Sequence, residues 1–197
     1  MTVEKAGQAT YQMSIRNAVR GLWTGAFDRG QFLNLMGLAI DEGLAAAFAE
    51  GAKACGITPE EFTDTELQAL REAQAQEEMQ VLPFAEDIMA NSRANGGRLG
   101  PLLQRAEMWI LRYKDLVNRG RTLACSDGKF KWELGPTEHC RTCAALSGQV
   151  RRGSFWQSHV LPQNAPNPLL ECKGYRCACE LVATEEPVTR GRLPNLP

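Results

Sequence analysis

The chain has 197 residues, of which 44% are hydrophobic and 23% charged, with a formal net charge of −1. This suits an ordinary globular protein with a core of its own plus a small appendage. Residues 1–125 carry 13 Lys+Arg against 16 Asp+Glu, and residues 126–197 carry 9 against 7, so no global field draws the protein onto nucleic acid or membrane.

The N-terminal Met-Thr-Val-Glu-Lys-Ala-Gly-Gln has no apolar h-region, so no secretory signal is expected. No uncharged apolar run approaches the roughly 18 residues of a membrane span. These features predict synthesis in a reducing cytosol and no membrane partner. In that setting clustered cysteines bind metal more often than they pair with one another.

Residues 1–8 read as a loose tail. From Tyr11, apolar residues at Ile15, Val19, Leu22, Trp23, Ala26 and Phe27 form one stripe of an amphipathic helix, broken at Asp28-Arg-Gly30. Phe32, Leu35, Met36, Ala39, Ile40, Leu44, Ala47 and Phe48 mark a second helix that ends between Gly51 and Cys55. Thr58-Pro59-Glu60-Glu61 is a strong helix start, with Thr58 as N-cap, Pro59 at the first position and Glu61 completing a capping box. Helical sequence then runs to about Asn95, with a restart at Thr63–Thr65 and a kink or break expected at Pro83. Gly100-Pro101 opens a fourth helix whose buried stripe includes Leu102, Ala106, Trp109, Ile110, Tyr113, Leu116 and Val117.

After Ser126-Asp127-Gly128 the pattern changes. Lys129 to Leu134 alternates and reads as a strand, with Gln149–Arg151 and Arg176–Val182 as two more short candidates. The last stretch, 187–197, holds three prolines without periodicity and is expected to be disordered. The fold class is therefore mainly α: N-terminal helical hairpins or a bundle over 1–125, then a small cysteine-rich α+β unit over 126–186 of zinc-knuckle type.

Five of the seven cysteines, and both histidines, fall between Trp132 and Leu181. Cys140-x2-Cys143 lets two thiolates converge on one cation from a tight turn. Cys177 and Cys179, two apart, would face the same way on a strand, and Cys172 lies five residues before Cys177. The expected ligands of a structural zinc ion are Cys140, Cys143, Cys172 and Cys177, with Cys179 or His139 able to replace one of them. In so small a unit a metal would supply much of the folding energy. The competing readings are buried unliganded thiols, or disulfides formed after release into an oxidising medium. Cys55 and Cys125 belong to the helical body and read as ordinary core residues.

Catalytic uses of the cluster lack their partners. A thioredoxin-like site needs a βαβ setting, and a zinc deaminase needs His-x-Glu before Pro-Cys-x2-Cys. A treble-clef nuclease needs a His base, for which His139 and His159 are the candidates. No catalytic residue is assigned. On the fourth helix, Arg98, Arg105, Arg112 and Arg119 recur every seven residues and form one charged row. The row would serve either as a docking surface for DNA phosphates or an acidic partner, or as a solvated flank whose stems cover the core edge; the second reading is preferred.

Trp132 on a strand, Cys140-x2-Cys143, Leu146-x-Gly148, Val150 and, after a long loop, Cys177-x-Cys179-x-Leu181 resemble phage head-morphogenesis proteins, the minor head proteins of the Mu F type. Leu22-Trp23, Phe32 and Phe48-Ala-Glu-Gly51 are similar to that family's N-terminal helices. The chain differs from the pattern at Thr137, where an acidic residue is common, and at Cys172 and Gly174, which replace a Pro-x-His approach. The resemblance implies a structural role without catalysis. The protein would join the procapsid near the portal, with portal and capsid proteins of the same phage as partners. It would act in the host bacterial cytoplasm during assembly and then in the virion head. The alternatives from the residues themselves are a treble-clef-like metal-dependent nucleic-acid enzyme, or a stand-alone zinc adaptor that binds a host protein through the arginine row.

Overall fold

The structure, a computed structural model, describes residues 3–136, 138–175, 177–194 and 196, with side chains from Gly7 onward. Thr137, Arg176 and residues 195 and 197 of the tail lie outside the described residues. The chain is mainly helical, 61% helix and 6% strand, with one small three-stranded sheet. Helices α1 (Val3–Thr24), α2 (Arg29–Ala52), α3 (Asp64–Glu78), α4 (Val81–Ala90) and α5 (Leu99–Ala124) come first. They are followed by β1 (Lys129–Glu133), α6 (Arg141–Leu146), β2 (Val150–Arg152), α7 (Gly153–His159) and β3 (Glu180–Ala183). The chain divides into two compact units, one of Met1–Ala47 with Leu67–Tyr113, the other of Phe48–Glu66 with Lys114–Pro197.

In the first unit the helical stripes are buried as their spacing requires: Tyr11, Ile15, Val19 and Leu22 on α1, and Phe32, Met36, Ile40 and Leu44 on α2. Phe84 of α4 packs between elements, 6.3 Å from the Phe32 ring and stacked on Trp109 at 5.0 Å. Helix α1 begins at Val3, where a loose tail was expected. Glu4, Lys5, Ala6, Gln8 and Ala9 are good helix formers, and Gly7 lies beneath Tyr113, whose hydroxyl would sit 2.7 Å from a Cβ there.

The capping box at Thr58 is present, with its backbone N–H donating to Glu61 Oε2 at 2.9 Å, but it closes only a 3₁₀ turn, Pro59–Glu61. A second box starts α3: Glu66 Oε2 accepts from the Thr63 N–H at 2.7 Å and its hydroxyl at 2.9 Å. The following break falls at Met79-Gln80 and not at Pro83. Pro83 stands in the first turn of α4, where no intrahelical partner awaits its missing N–H.

By length and composition alone, Arg29–Cys55 is apolar enough to cross a membrane. Its large apolar residues Phe32, Met36, Ile40, Leu44 and Phe48 are fully buried in the protein, as in a core helix.

In the second unit the last turn of α2 meets the last turns of α5 with almost no side chain between them. A Cβ on Gly51 would strike the backbone of Val117 and Arg121, and one on Gly120 the backbone of Phe48. Just beyond, Cys55 and Cys125 form a disulfide spanning 70 residues of sequence. This corrects the expectation of two ordinary core thiols, and Cys55 is in fact exposed. In the chain-entropy picture a bridge of that span stabilises by about 4 kcal/mol.

The sheet has strand order β2-β1-β3, all antiparallel, with Trp132 opposite Leu181. Trp132 packs against Trp156 of α7 at 5.5 Å, and the Trp156 indole N–H donates to Phe130 O at 2.9 Å. Both sheet edges are covered. On the β3 side, Arg121 donates to Leu181 O and Asn118 Oδ1 accepts from Leu181 N at 3.4 Å. On the β2 side, the stretch expected to be disordered runs along the strand: Thr189 N donates to Val150 O and Val150 N to Thr189 Oγ1, both at 2.9 Å. Arg151 adds a bond to Gly191 O at 3.1 Å.

The glycine contact gives a sharp expectation. Gly120→Ala gains about 1 kcal/mol of helix propensity, yet its methyl would meet Phe48 backbone, which cannot turn aside. The variant should be less stable by about 1–3 kcal/mol in a denaturant melt, whereas Gly37→Ala, whose Cβ meets nothing within 4 Å, should be stabilising.

Candidate metal centre

Cys140 stands at the N-cap of α6, and its Sγ accepts the Cys143 N–H at 3.4 Å. That bond explains the spacing: the helical turn it caps brings Cys143 back beside Cys140. Cys143 is buried, while Cys140 is half-exposed. Cys172 arrives from a turn in which Lys173 (φ 52°) and Gly174 (φ 78°) are left-handed. Four hydrogen bonds hold this turn to α6: Arg141 N to Glu171 Oε2 at 2.8 Å, Arg141 Nε and Nη2 to Glu171 Oε1 at 3.1 and 2.8 Å, and Glu171 N to Thr142 Oγ1 at 3.2 Å. Cys177 and Cys179 were expected on a strand. Instead β3 starts at Glu180, and both thiols still turn toward Cys143.

The five thiols form two triangles. Cys140, Cys143 and Cys172 make one, and Cys143, Cys177 and Cys179 the other, with the sulfurs of each within 4.8 Å of one another. Cys143 and Cys177 are 3.9 Å apart, close to the roughly 3.8 Å edge of a tetrahedron whose metal–sulfur bonds are about 2.3 Å. His139 Nδ1 lies 3.7 Å from Cys179 Sγ. His159 is stacked on Phe155 at 4.0 Å and bonded to Ser158 Oγ, and it joins neither triangle. These cysteine groups are positioned to hold a metal ion. Of the residues singled out from the sequence, Cys140, Cys143 and Cys172 converge directly, and Cys177 reaches them through Cys143.

The electrostatics of the cluster point the same way. Hydrogen bonds from the Cys143 and Cys177 thiols, helped by the Gly135 backbone and the Trp132 side chain, hold Cys179 down to about 3 against the effect of burial. The buried Trp132 indole N–H has no well-formed partner of its own. It stands where an anionic sulfur would use it. Hydrogen bonding to Cys177 and Cys179, then burial, pushes Cys143 far up, and burial raises Cys172 to about 11. Without a cation the centre concentrates its negative charge on few sulfurs, and a bound dication would let the others ionise.

Three arginines of the heptad row are tied down within the fold. Arg105 pairs with Asp87 at 2.8 Å and lies over the Phe84 ring at 5.0 Å, and Arg112 pairs with Glu77 at 2.6 Å. Arg119 pairs with Asp115 at 3.2 Å and donates to Asn164 Oδ1 at 2.9 Å. Arg98 is exposed.

Comparison with known proteins gave no match: no family model, no curated protein and no solved structure is similar to this chain.

Gly174 offers a test of the centre that leaves every thiol in place. A Cβ there would sit 2.9 Å from Asn164 C and 3.0 Å from Ala165 N, on a left-handed backbone. Gly174→Ala should displace the Cys172 turn and weaken Zn(II) retention about tenfold or more in competition with a chromophoric chelator.

Proposed function

We propose that this chain is a structural assembly protein of a phage or prophage head, a minor head protein that works beside the portal. In this reading the cysteine centre is a structural clamp for the small sheet-bearing part, holding a zinc-class ion through Cys140, Cys143, Cys172 and Cys177, with Cys179 and His139 as further donors. When bound, the ion supplies cross-linking. The residues orient one another; no bond of a substrate is broken. Portal and capsid proteins of the same phage are the partners, and assembly takes place in the host cytoplasm before the protein becomes part of the virion head.

The observation that carries the reading is the Trp–Cys–Gly–Cys arrangement around one strand. Trp132 lies on the central strand, the Cys140-x2-Cys143 turn follows it, Gly148 closes that turn with φ 77°, and Cys177 and Cys179 lead into the partner strand. The thiols are held in place by neighbouring groups of the fold: Cys140 accepts the Cys143 N–H, and Glu171 ties the Cys172 turn to Arg141 of α6. The ion pairs of Arg105 and Arg112 give the adaptor reading little support. His139 Nδ1, 3.7 Å from Cys179 Sγ, is a feature that would suit a metal-dependent nuclease, and such activity would have to vanish in His139→Ala.

Two measurements test the proposal. Co-expressed with the portal protein of its own genome, the chain should co-purify with it; two folded proteins that elute separately would count against the head role. Elemental analysis of protein kept reduced and never exposed to chelator should find at least one equivalent of metal. Stripping that metal should lower Tm, and Zn(II) should restore it. Acidification should release the ion, because protons compete for the thiolates.

A further inference from the structure

Five thiols are one more than a tetrahedral ion takes, and they are not arranged as four plus one. They make two triangles that share a single corner, Cys143. We propose that the centre holds two thiophilic dications of the zinc class, bridged by the Cys143 thiolate. One ion is held by Cys140, Cys143 and Cys172, and the other by Cys143, Cys177 and Cys179. The inference rests on the metal reading of this same centre and specifies how many ions it takes.

The shared corner differs from the other four sulfurs in its surroundings. The Cys143 N–H donates to Cys140 at 3.4 Å. The sulfur neighbours of Cys143 are Cys177 at 3.9 Å and, within 4.8 Å, Cys140, Cys172 and Cys179. A thiolate bound to one ion keeps charge and lone pairs that need donors, whereas a bridging thiolate directs its electron pairs at two cations. The geometry agrees with a bridged pair: Cys140, a terminal sulfur, has an N–H partner, while the Cys143 sulfur stands among sulfurs, 3.9 Å from Cys177 and at the corner of both triangles.

Charge favours the same arrangement. One dication on four thiolates leaves a net −2 beside a fifth, protonated thiol. Two dications on five thiolates leave −1, and Cys143 and Cys179 are buried, where a smaller net charge costs less. The fourth position of each ion has a source nearby. His139 Nδ1 stands 3.7 Å from Cys179 at the second triangle. Cys140 and Cys172 are half-exposed, so water reaches the first.

The test uses the full chain with its Cys55–Cys125 bridge intact and the other thiols reduced. Titrated with Zn(II) and weighed by native mass spectrometry, it should take two ions at saturation. With Co(II), the thiolate charge-transfer bands should grow through two equivalents. The high-spin EPR signal should fall as the second is added, because a thiolate bridge couples the two spins. Saturation at one ion overturns the inference and leaves the metal centre standing, whereas no bound ion overturns both. Two ions with additive EPR signals also overturn it, since they would share no bridge. Cys172→Ala should reduce the count from two to one, and an unchanged count of two goes against the assignment. The wild-type titration decides the question even if that variant fails to fold.

Discussion

Strands of five, three and four residues cannot sustain a sheet by their own pairing. The second unit is organised around that shortage. Its two tryptophans put the largest available side chains on one face of the central strand. Arg121 and Asn118 of α5 bind both backbone groups of Leu181, so the open side of β3 faces a helix and not water. The other open side is closed by the tail at Thr189. The thiols complete the same core: Cys143 and Cys179 are buried with Leu146, Leu170 and Leu181 in one cluster, and Cys140, Cys172 and Cys177 pack at its rim. Where apolar side chains run out, sulfur takes over.

That position explains why the thiols make an electrostatic problem as well as a packing one. In a half-buried group, ionising one sulfur raises the cost of ionising the next. The opposed shifts of Cys179 and Cys143 express this competition between neighbours. A dication removes the competition and turns repelling groups into a cross-link. Folding of the sheet-bearing part and cation binding then become one equilibrium.

Much of this was legible in the sequence. The helical stripes, the Thr58 box, the strand through Trp132 and the convergence of five cysteines all follow from local spacing, and the structure carries them. What escaped notice depends on contacts between distant residues or on elements too short for periodicity. Helices α6 and α7, of six and seven residues, complete at most two turns, too few for a 3.6-residue pattern to declare itself. The Cys55–Cys125 bond joins positions 70 apart, which only the close approach at Gly51 and Gly120 brings together. Arg105, Arg112 and Arg119 looked like a surface row because their acidic partners Asp87, Glu77 and Asp115 carry no pattern that links them to it. The tail has turn composition, yet Thr189 and Gly191 find bonds on β2 that composition alone does not announce.

The disulfide also gives the chain a mechanical polarity. It closes residues 55–125 into a covalent ring. Drawn out by its C-terminus through a narrow passage, the polypeptide would surrender the sheet and the thiol centre first, as a single thread. At Cys125 the single thread gives way to three, the two arms of the ring and the segment that leads into Cys55 from the N-terminal side. A pore wide enough for one extended strand but not for three would stall there until the bridge was reduced. The part bearing the cysteine centre is thus the part that can be unravelled, and the helices between the two bonded cysteines are the part that is locked.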